Sequence, residues 1–397
     1  MKVCLDSRLI KKGEYFVPVK GDTFDGHIFV DEVLKKGAAG IIEEEELYRL
    51  AKEKLSNANI ITIAIAGAVG KSTFRTYLTQ LLSTKYRVLE GSLNTKLGLA
   101  TTIINELSNQ KVFIAELGID RIGEMQETSN FINPDFVIYT KFEKEHLLYL
   151  KDLKTAIKEN IICIKNTKEK LAYINMADME LVIDFIKKYN IKYFKYTAGE
   201  ESYVQNFDFP NHEKDYLSCI NLILKERFNF SDTDFLAGLK NLKRPKGRLN
   251  LLNGLNESLI LDDSYNSVCD SGLIEGLKYA KQISKKYNKE LNIIISPMRE
   301  TGLSESIQHK NVSEVLNKLN FKSLTIVGDS AGIFKKYLKV DYSSLASSED
   351  FNFIPTKQDL FYFKGSQFYR LEKSVEKILD KNLKAKDVLV RQDVRWA

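Results

Sequence analysis

Residues 61–73 read ITIAIAGAVGKST, and this stretch decides the fold. Its first half is a short Ile-rich run, the pattern of a strand buried on both faces of a parallel sheet. Its second half, Gly67-Ala68-Val69-Gly70-Lys71-Ser72-Thr73, breaks the run with two glycines and then offers a cation and two hydroxyls. Glycines let backbone N–H groups turn inward around phosphate oxygens, and a helix starting here aims its positive end at the same anion. Lys71 is placed to bridge the outer phosphates of a nucleoside triphosphate, and the Ser72 hydroxyl to hold Mg²⁺. Position 65 is Ile, so the spacing is the short G-x-x-G-K-S form of the phosphate loop. A turn that binds nothing has no packing need for Lys-Ser-Thr after the second glycine. Gly67, Gly70, Lys71, Ser72 and Thr73 are therefore expected to grip phosphate.

Outward from the loop, apolar runs alternate with helical stretches. A helix is expected at about 72–84, a strand at 87–90, a helix at about 98–107, strands at 111–116 and 135–139, and a helix over about 153–166. This alternation predicts a doubly wound parallel sheet, in which ligands sit at the C-terminal strand ends. Before the loop, short apolar runs (15–19, 28–33, 40–42) alternate with turns and suggest a small α/β domain. A charged helical stretch follows at 43–56. A turn around 244–248 marks a composition shift, and apolar strands recur at 258–262, 291–295 and 324–327. The expected fold is therefore α/β in three domains: 1–58, a central 59–247 around the phosphate loop, and a Rossmann-like 248–397.

A chain of 397 residues exceeds one ordinary core. The +6 charge comes from 59 basic and 53 acidic residues spread along the chain, which gives no footprint for nucleic acid. Cysteines at 4, 163, 219 and 269 make no C-x-x-C pair and read as reduced thiols of a cytoplasmic protein. No secretion signal and no apolar run of spanning length is visible, so no membrane span is expected.

Other residues carry chemistry in context. Glu116 in Glu116-Leu117-Gly118 ends a strand, where a carboxylate can face Mg²⁺ beside the loop; such acids also serve as helix caps. Asp262-Asp263-Ser264-Tyr265-Asn266 follows an apolar run, where a carboxylate can take ribose hydroxyls and an amide an adenine edge; a capped turn uses the same residues. His146 stands among charges in Lys144-Glu145-His146-Leu147, the setting of an ordinary surface histidine.

Taken together these residues resemble the Mur ligase family, most closely its D-alanyl-D-alanine-adding (MurF-type) branch, almost end to end. Asp6-Ser7-Arg8, Lys20-Gly21 and Phe24-Asp25-Gly26-His27 are similar to its uridine-nucleotide-binding domain. Leu93-Asn94-Thr95 resembles its Asn-rich loop, and Glu116-Leu117-Gly118 with Gly123-Glu124 its metal-binding segment. Lys246-Gly247-Arg248-Leu249, residues 262–266, Glu300-Thr301-Gly302 with His309, and Lys364-Gly365-Ser366 with Arg370-Leu371-Glu372 resemble its third domain.

The resemblance implies an ATP- and Mg²⁺-dependent ligase that joins D-alanyl-D-alanine to a UDP-N-acetylmuramoyl tripeptide through an acyl phosphate, in peptidoglycan precursor synthesis. It implies catalytic roles for Lys71, Glu116 and His146, and metal contacts from Ser72, Glu116 and His146. It places Arg248, Asp263 and Asn266 on the nucleotide. It places Asp6, Ser7, Arg8, Phe24, Asp25, Gly26, His27, Asn94 and Thr95 on the sugar-nucleotide substrate. A monomer is expected. Two alternatives stand beside this reading: a Mur-type ligase taking another amine or acceptor, and a nucleotide-binding homologue without turnover. Three positions depart from the family pattern. Val69 and Lys141 replace asparagines, and Asn160 stands where many members carry a carbamylated lysine fourteen residues after the histidine.

Overall fold

The computed structural model describes residues 1–21, 24–91, 93–143, 150, 152–199, 203–299, 301–329 and 332–393, with only the backbone at 203 and 303. The chain forms two compact units. The first comprises Met1–Phe142, Ile157–Phe207 and His212–Leu242; the second comprises Glu143–Ala156, Asp208–Asn211 and Lys243–Ala397.

The first unit holds two sheets. The smaller joins β1 (Val3–Cys4), β2 (Tyr15–Phe16) and β3 (Gly40–Ile41) in parallel. The apolar run at 28–33 is taken up by a 3₁₀ turn, Gly26–Phe29, and the helix Val30–Lys35. Asn105, on the helix Lys96–Glu106, reads both backbone groups of Val3: its Oδ1 accepts the Val3 N–H at 2.8 Å and its Nδ2 donates to the Val3 carbonyl at 2.9 Å. A side chain thus stands in for a neighbouring strand at the start of the chain.

The larger sheet of this unit contains β4 (Ile61–Ala66), β5 (Val88–Gly91), β6 (Val112–Glu116), β7 (Phe136–Tyr139), β8 (Leu171–Asn175) and β9 (Lys192–Tyr196). The order is β5-β6-β4-β7-β8-β9, and every pair is parallel. β4 is buried along five of its six residues, as its Ile-rich sequence requires. Each fully buried Ile there contributes roughly 2 kcal/mol of transfer free energy. The chain winds from β4 to β5 and β6 on one side and then to β7 on the other. The C-terminal end of β4 is thus a switch point, where a parallel sheet leaves a crevice. The helix expected over 153–166 ends as Leu153–Ile161 and tightens into a 3₁₀ segment, Ile162–Asn166. The Tyr139 hydroxyl donates to the Ile161 carbonyl at 3.2 Å at that change of pitch.

The second unit is built on β10 (Asn250–Asn253), β11 (Leu259–Asp263), β12 (Glu290–Ile295), β13 (Ser323–Val327), β14 (Ser343–Leu345) and β15 (Asp359–Lys364). Their order is β10-β11-β15-β12-β13-β14, parallel except for β10 on β11. Each face carries its own apolar cluster, one around Leu277, Ile293 and Val312, the other around Phe361, Phe363 and Val375. The α/β class and parallel sheets expected from the sequence are those observed. Among the described residues no helix is long and apolar enough to cross a membrane.

Candidate functional site

The phosphate-loop sequence sits at the switch point. In register, Ile65 lies beside Glu116 of β6 and Ala66 beside Tyr139 of β7, so the loop leaves the sheet between two strand ends. Gly67 has φ +117°, and a Cβ there would come within 2.7 Å of the Thr140 hydroxyl. Gly70 has φ +90° and caps the helix Lys71–Leu82; a Cβ there would overlap the hydroxyl of Tyr216. Both positions therefore need glycine. Behind the loop, the Ala68 N–H donates to the Lys141 carbonyl at 2.7 Å. The Tyr216 hydroxyl donates to the Val69 carbonyl at 3.4 Å while its ring packs edge-on against Phe74. The Lys71 Nζ folds back to donate to the Gly67 carbonyl and, at 3.3 Å, to the Ala68 carbonyl. Thr73 is buried.

Glu116 and Ser72 meet, as their strand-end and helix-start positions allow. The Ser72 hydroxyl donates to Glu116 Oε1 at 3.0 Å, and Arg75 Nε donates to Glu116 Oε2 at 3.1 Å. Arg75, itself buried, also pairs with Glu90. The result is a hydroxyl and a carboxylate side by side, with a guanidinium neutralising the far carboxylate oxygen. Two hard oxygens beside a phosphate seat suit Mg²⁺, which takes few protein ligands and fills the rest from phosphate and water. Among the described residues no group of three or more His, Cys, Asp and Glu gathers as a metal cage. His146 lies outside the described residues. Asn160 is buried, and its Oδ1 accepts the Gly67 N–H at 3.0 Å.

Asn94 and Thr95 reach the same region. The Asn94 carbonyl accepts the Gly118 N–H at 3.0 Å, two residues beyond Glu116. Thr95 caps the helix Lys96–Glu106 by accepting the Gly98 N–H at 3.2 Å. In the small sheet region, Asp6 takes Arg8 in a two-point ion pair at 3.0 and 2.8 Å, and the Ser7 carbonyl accepts Lys36 Nζ at 3.1 Å. Asp25 accepts the His27 N–H at 3.0 Å and touches its ring at 2.6 Å; Glu43 meets the other ring nitrogen at 3.2 Å. These hydrogen bonds, Asp25 first, hold the exposed His27 above its ordinary pKa. Gly26 donates its N–H to the Val19 carbonyl at 2.9 Å, and Phe24 is half exposed beside Phe29.

In the second unit, Arg248 stacks its guanidinium 4.3 Å from the Tyr265 ring centroid. Asp263, buried at the end of β11, accepts Lys364 Nζ at 2.7 Å. The Asn266 side-chain oxygen accepts the Gln367 N–H at 3.2 Å. Arg248, Asp263 and Asn266 thus bracket one end of this sheet, with Asp263 already committed to an ion pair. The same unit has a cavity of about 750 Å³, where Arg299 lies over Phe368 near Gly328, Asp329, Arg370 and Lys373. Arg370 belongs to the segment Arg370-Leu371-Glu372 singled out in the sequence, while the rest of the lining comes from separate stretches without a local motif.

Asp262 neighbours this end and is fully buried. Its Oδ1 accepts the Ser264 N–H at 3.1 Å, and its Oδ2 has no partner among the described residues. Burial pushes its carboxyl up to about 6. Because the folded pKa lies above the unfolded one, the stability it contributes is complete below about pH 4 and is lost as pH rises through about 6. Asp262→Asn is expected to stabilise the protein at pH 7.5 by about 2 kcal/mol and to flatten the pH dependence between 4 and 7. Chemical unfolding of both proteins across that range reads the effect.

Residues 65–235 match the Mur ligase middle domain. Over nearly its whole length the chain is similar to UDP-N-acetylmuramoyl-tripeptide–D-alanyl-D-alanine ligases. That of Bacillus subtilis is 24% identical, covering 96% of this chain and 93% of that protein; that of Borreliella burgdorferi is 26% identical, covering 93% and 92%. Two solved structures share the fold. MurF from Acinetobacter baumannii has a TM-score of 0.81 at 20% identity, covering 95% of this chain and 92% of that one. MurF from Thermotoga maritima in complex with ADP has a TM-score of 0.81 at 21% identity, covering 94% and 96%. A phosphate loop at the switch point of a parallel sheet, together with these matches, defines an ATP-dependent ligase. The chain thus carries a Mur ligase middle domain and is similar over nearly its whole length to ligases of the MurF type.

Proposed function

We propose that the chain adds D-alanyl-D-alanine to a UDP-N-acetylmuramoyl tripeptide in peptidoglycan precursor synthesis, using ATP and Mg²⁺. The observation that carries this reading is the convergence of Lys71, Ser72 and Glu116 at the ends of β4 and β6. The phosphoryl group moves from ATP to the tripeptide carboxylate and ADP leaves; the amine then attacks the acyl carbon, phosphate leaves, and the amine gives up a proton. Two anions must meet in the first step, so the site needs fixed positive charge. Lys71 supplies it by exchanging the loop carbonyls for the outer phosphates. Ser72 and Glu116 would hold Mg²⁺, which when bound spreads the charge of the transferring phosphoryl group. The helix Lys71–Leu82 turns its first N–H groups to the same anion.

The working division is 1–58 for the sugar nucleotide, with Asp6, Ser7, Arg8 and Phe24–His27, then 59–247 for ATP and 248–397 for further nucleotide contacts from Arg248, Asp263 and Asn266. The β1–β3 sheet of its own supports the first boundary. Four free thiols and the need for ATP suit the cytoplasm. The test is incubation with ATP, Mg²⁺, a UDP-muramoyl tripeptide and D-alanyl-D-alanine. Phosphate release that requires both substrates, with a product joined by loss of water, is expected. Turnover only with another amine, or nucleotide binding without turnover, overturns the assignment.

A further inference from the structure

We propose that Asn160 is the positioning residue of the phosphate loop, holding the backbone at Gly67 through its side-chain oxygen. The inference rests on residues 67–73 being a nucleotide seat and adds a residue outside that motif. Asn160 lies near the end of the helix Leu153–Ile161 and is 2% exposed. Its Oδ1 reaches the Gly67 N–H across 93 residues of sequence, at 3.0 Å, in a buried setting.

Gly67 is where the chain turns from β4 into the loop. Its left-handed backbone is hemmed in by Thr140 and Lys141, and it has no side chain with which to fix itself. Its orientation must come from its neighbours. Asn160 holds its N–H, the Lys141 carbonyl holds the next N–H at Ala68, and the Gly67 carbonyl receives Lys71 Nζ. The backbone groups on both sides of the Gly67 Cα are thereby set, and with them the starting position of the lysine that must reach phosphate. A buried N–H deprived of its acceptor carries a desolvation penalty, so the loop without Asn160 would turn this group elsewhere.

The chemistry of the acceptor matters as much as its position. An amide oxygen accepts the bond without adding charge. A carboxylate in the same place would accept it equally well, but would have to be buried as a charge. Asn160 therefore supplies the acceptor without the cost of a buried charge.

The test uses the full chain, with ADP affinity measured by calorimetry, KM for ATP and kcat by phosphate release, and melting temperature without nucleotide. Asn160→Ala is expected to weaken ADP binding about tenfold and to raise KM for ATP by a similar factor, with a smaller change in kcat. Asn160→Asp is expected to melt below the wild type, because a carboxylate is buried, and yet to bind ADP more tightly than Asn160→Ala, because the acceptor for the Gly67 N–H is kept. That separation of affinity from melting is not produced by a merely structural role. Should Asn160→Ala not fold, Asn160→Leu, which keeps the volume and removes the acceptor, takes its place. Wild-type ADP affinity in the folded variant that lacks the acceptor, or affinity in Asn160→Asp no better than in that variant, overturns the proposal while leaving the nucleotide seat intact. Absence of ADP binding by the wild type overturns the nucleotide seat itself, and this proposal with it.

Discussion

Lys71→Ala cuts ATP turnover on the order of 10²–10³-fold and leaves the fold intact: that is the expected result with the largest effect. The structure separates the two consequences. Lys71 is half-buried on the first turn of its helix, and its Nζ rests on the carbonyls of Gly67 and Ala68. Alanine is a strong helix former, and loop carbonyls released at a half-open position can turn to water, so the stability cost stays under about 1 kcal/mol. The phosphoryl transfer, by contrast, loses the one positive side chain that the loop motif contains. Loss of a group aimed at developing charge costs on the order of 10²–10³ in kcat. Phosphate release in the presence of both substrates measures the first effect, and thermal melting the second. Normal activity in this variant would remove the loop from the mechanism.

Glu116→Gln is the second. Glutamine keeps the shape and can still accept from Ser72 or Arg75, while Arg75 retains its pairing with Glu90. The fold is therefore expected to survive with a loss of about 1–2 kcal/mol. What disappears is the charge on a hard-oxygen donor beside the phosphate seat. The Mg²⁺ concentration for half-maximal turnover is expected to rise about tenfold or more, with kcat reduced on the order of 10²-fold at saturating Mg²⁺. A magnesium titration of phosphate release decides it. An unchanged magnesium requirement would leave Glu116 as a structural partner of Arg75. Glu116→Ala makes the complementary point, since it leaves the buried Arg75 without one of its two carboxylates and is expected to melt several degrees lower.

Much of this site can be read from local sequence because its parts are local. The run 61–66 is a strand by its apolar residues, Gly67 and Gly70 are turn positions by their lack of Cβ, and Glu116 closes another apolar run. The α/β alternation around them is equally plain, and helix ends fall within a few residues of expectation. Other elements hide for physical reasons. β9, KYFKY, is exposed along four of its five residues and looks like surface. β15, DLFYFK, lies inside its sheet, yet charged residues bound it, because Asp359 and Lys364 are buried in ion pairs. Asn160 and Tyr216 belong to the loop only through contacts across 93 and 147 residues, and no spacing rule announces such partners. Comparison with the family pattern marks Asn160 as unusual, but only the geometry shows what it touches.

Those long separations also order events in time. On a ribosome adding about 5–20 residues per second, Asn160 is made roughly 5–20 s after Gly67, and Tyr216 roughly 7–30 s after Val69. Through that interval the nascent chain carries the glycines, the lysine and the serine without either of the side chains that shape them. Nucleotide in the cell cannot act as a folding ligand for the early chain, because a ligand stabilises only a seat that already exists. The binding site is among the first stretches to be synthesised and among the last to take its form.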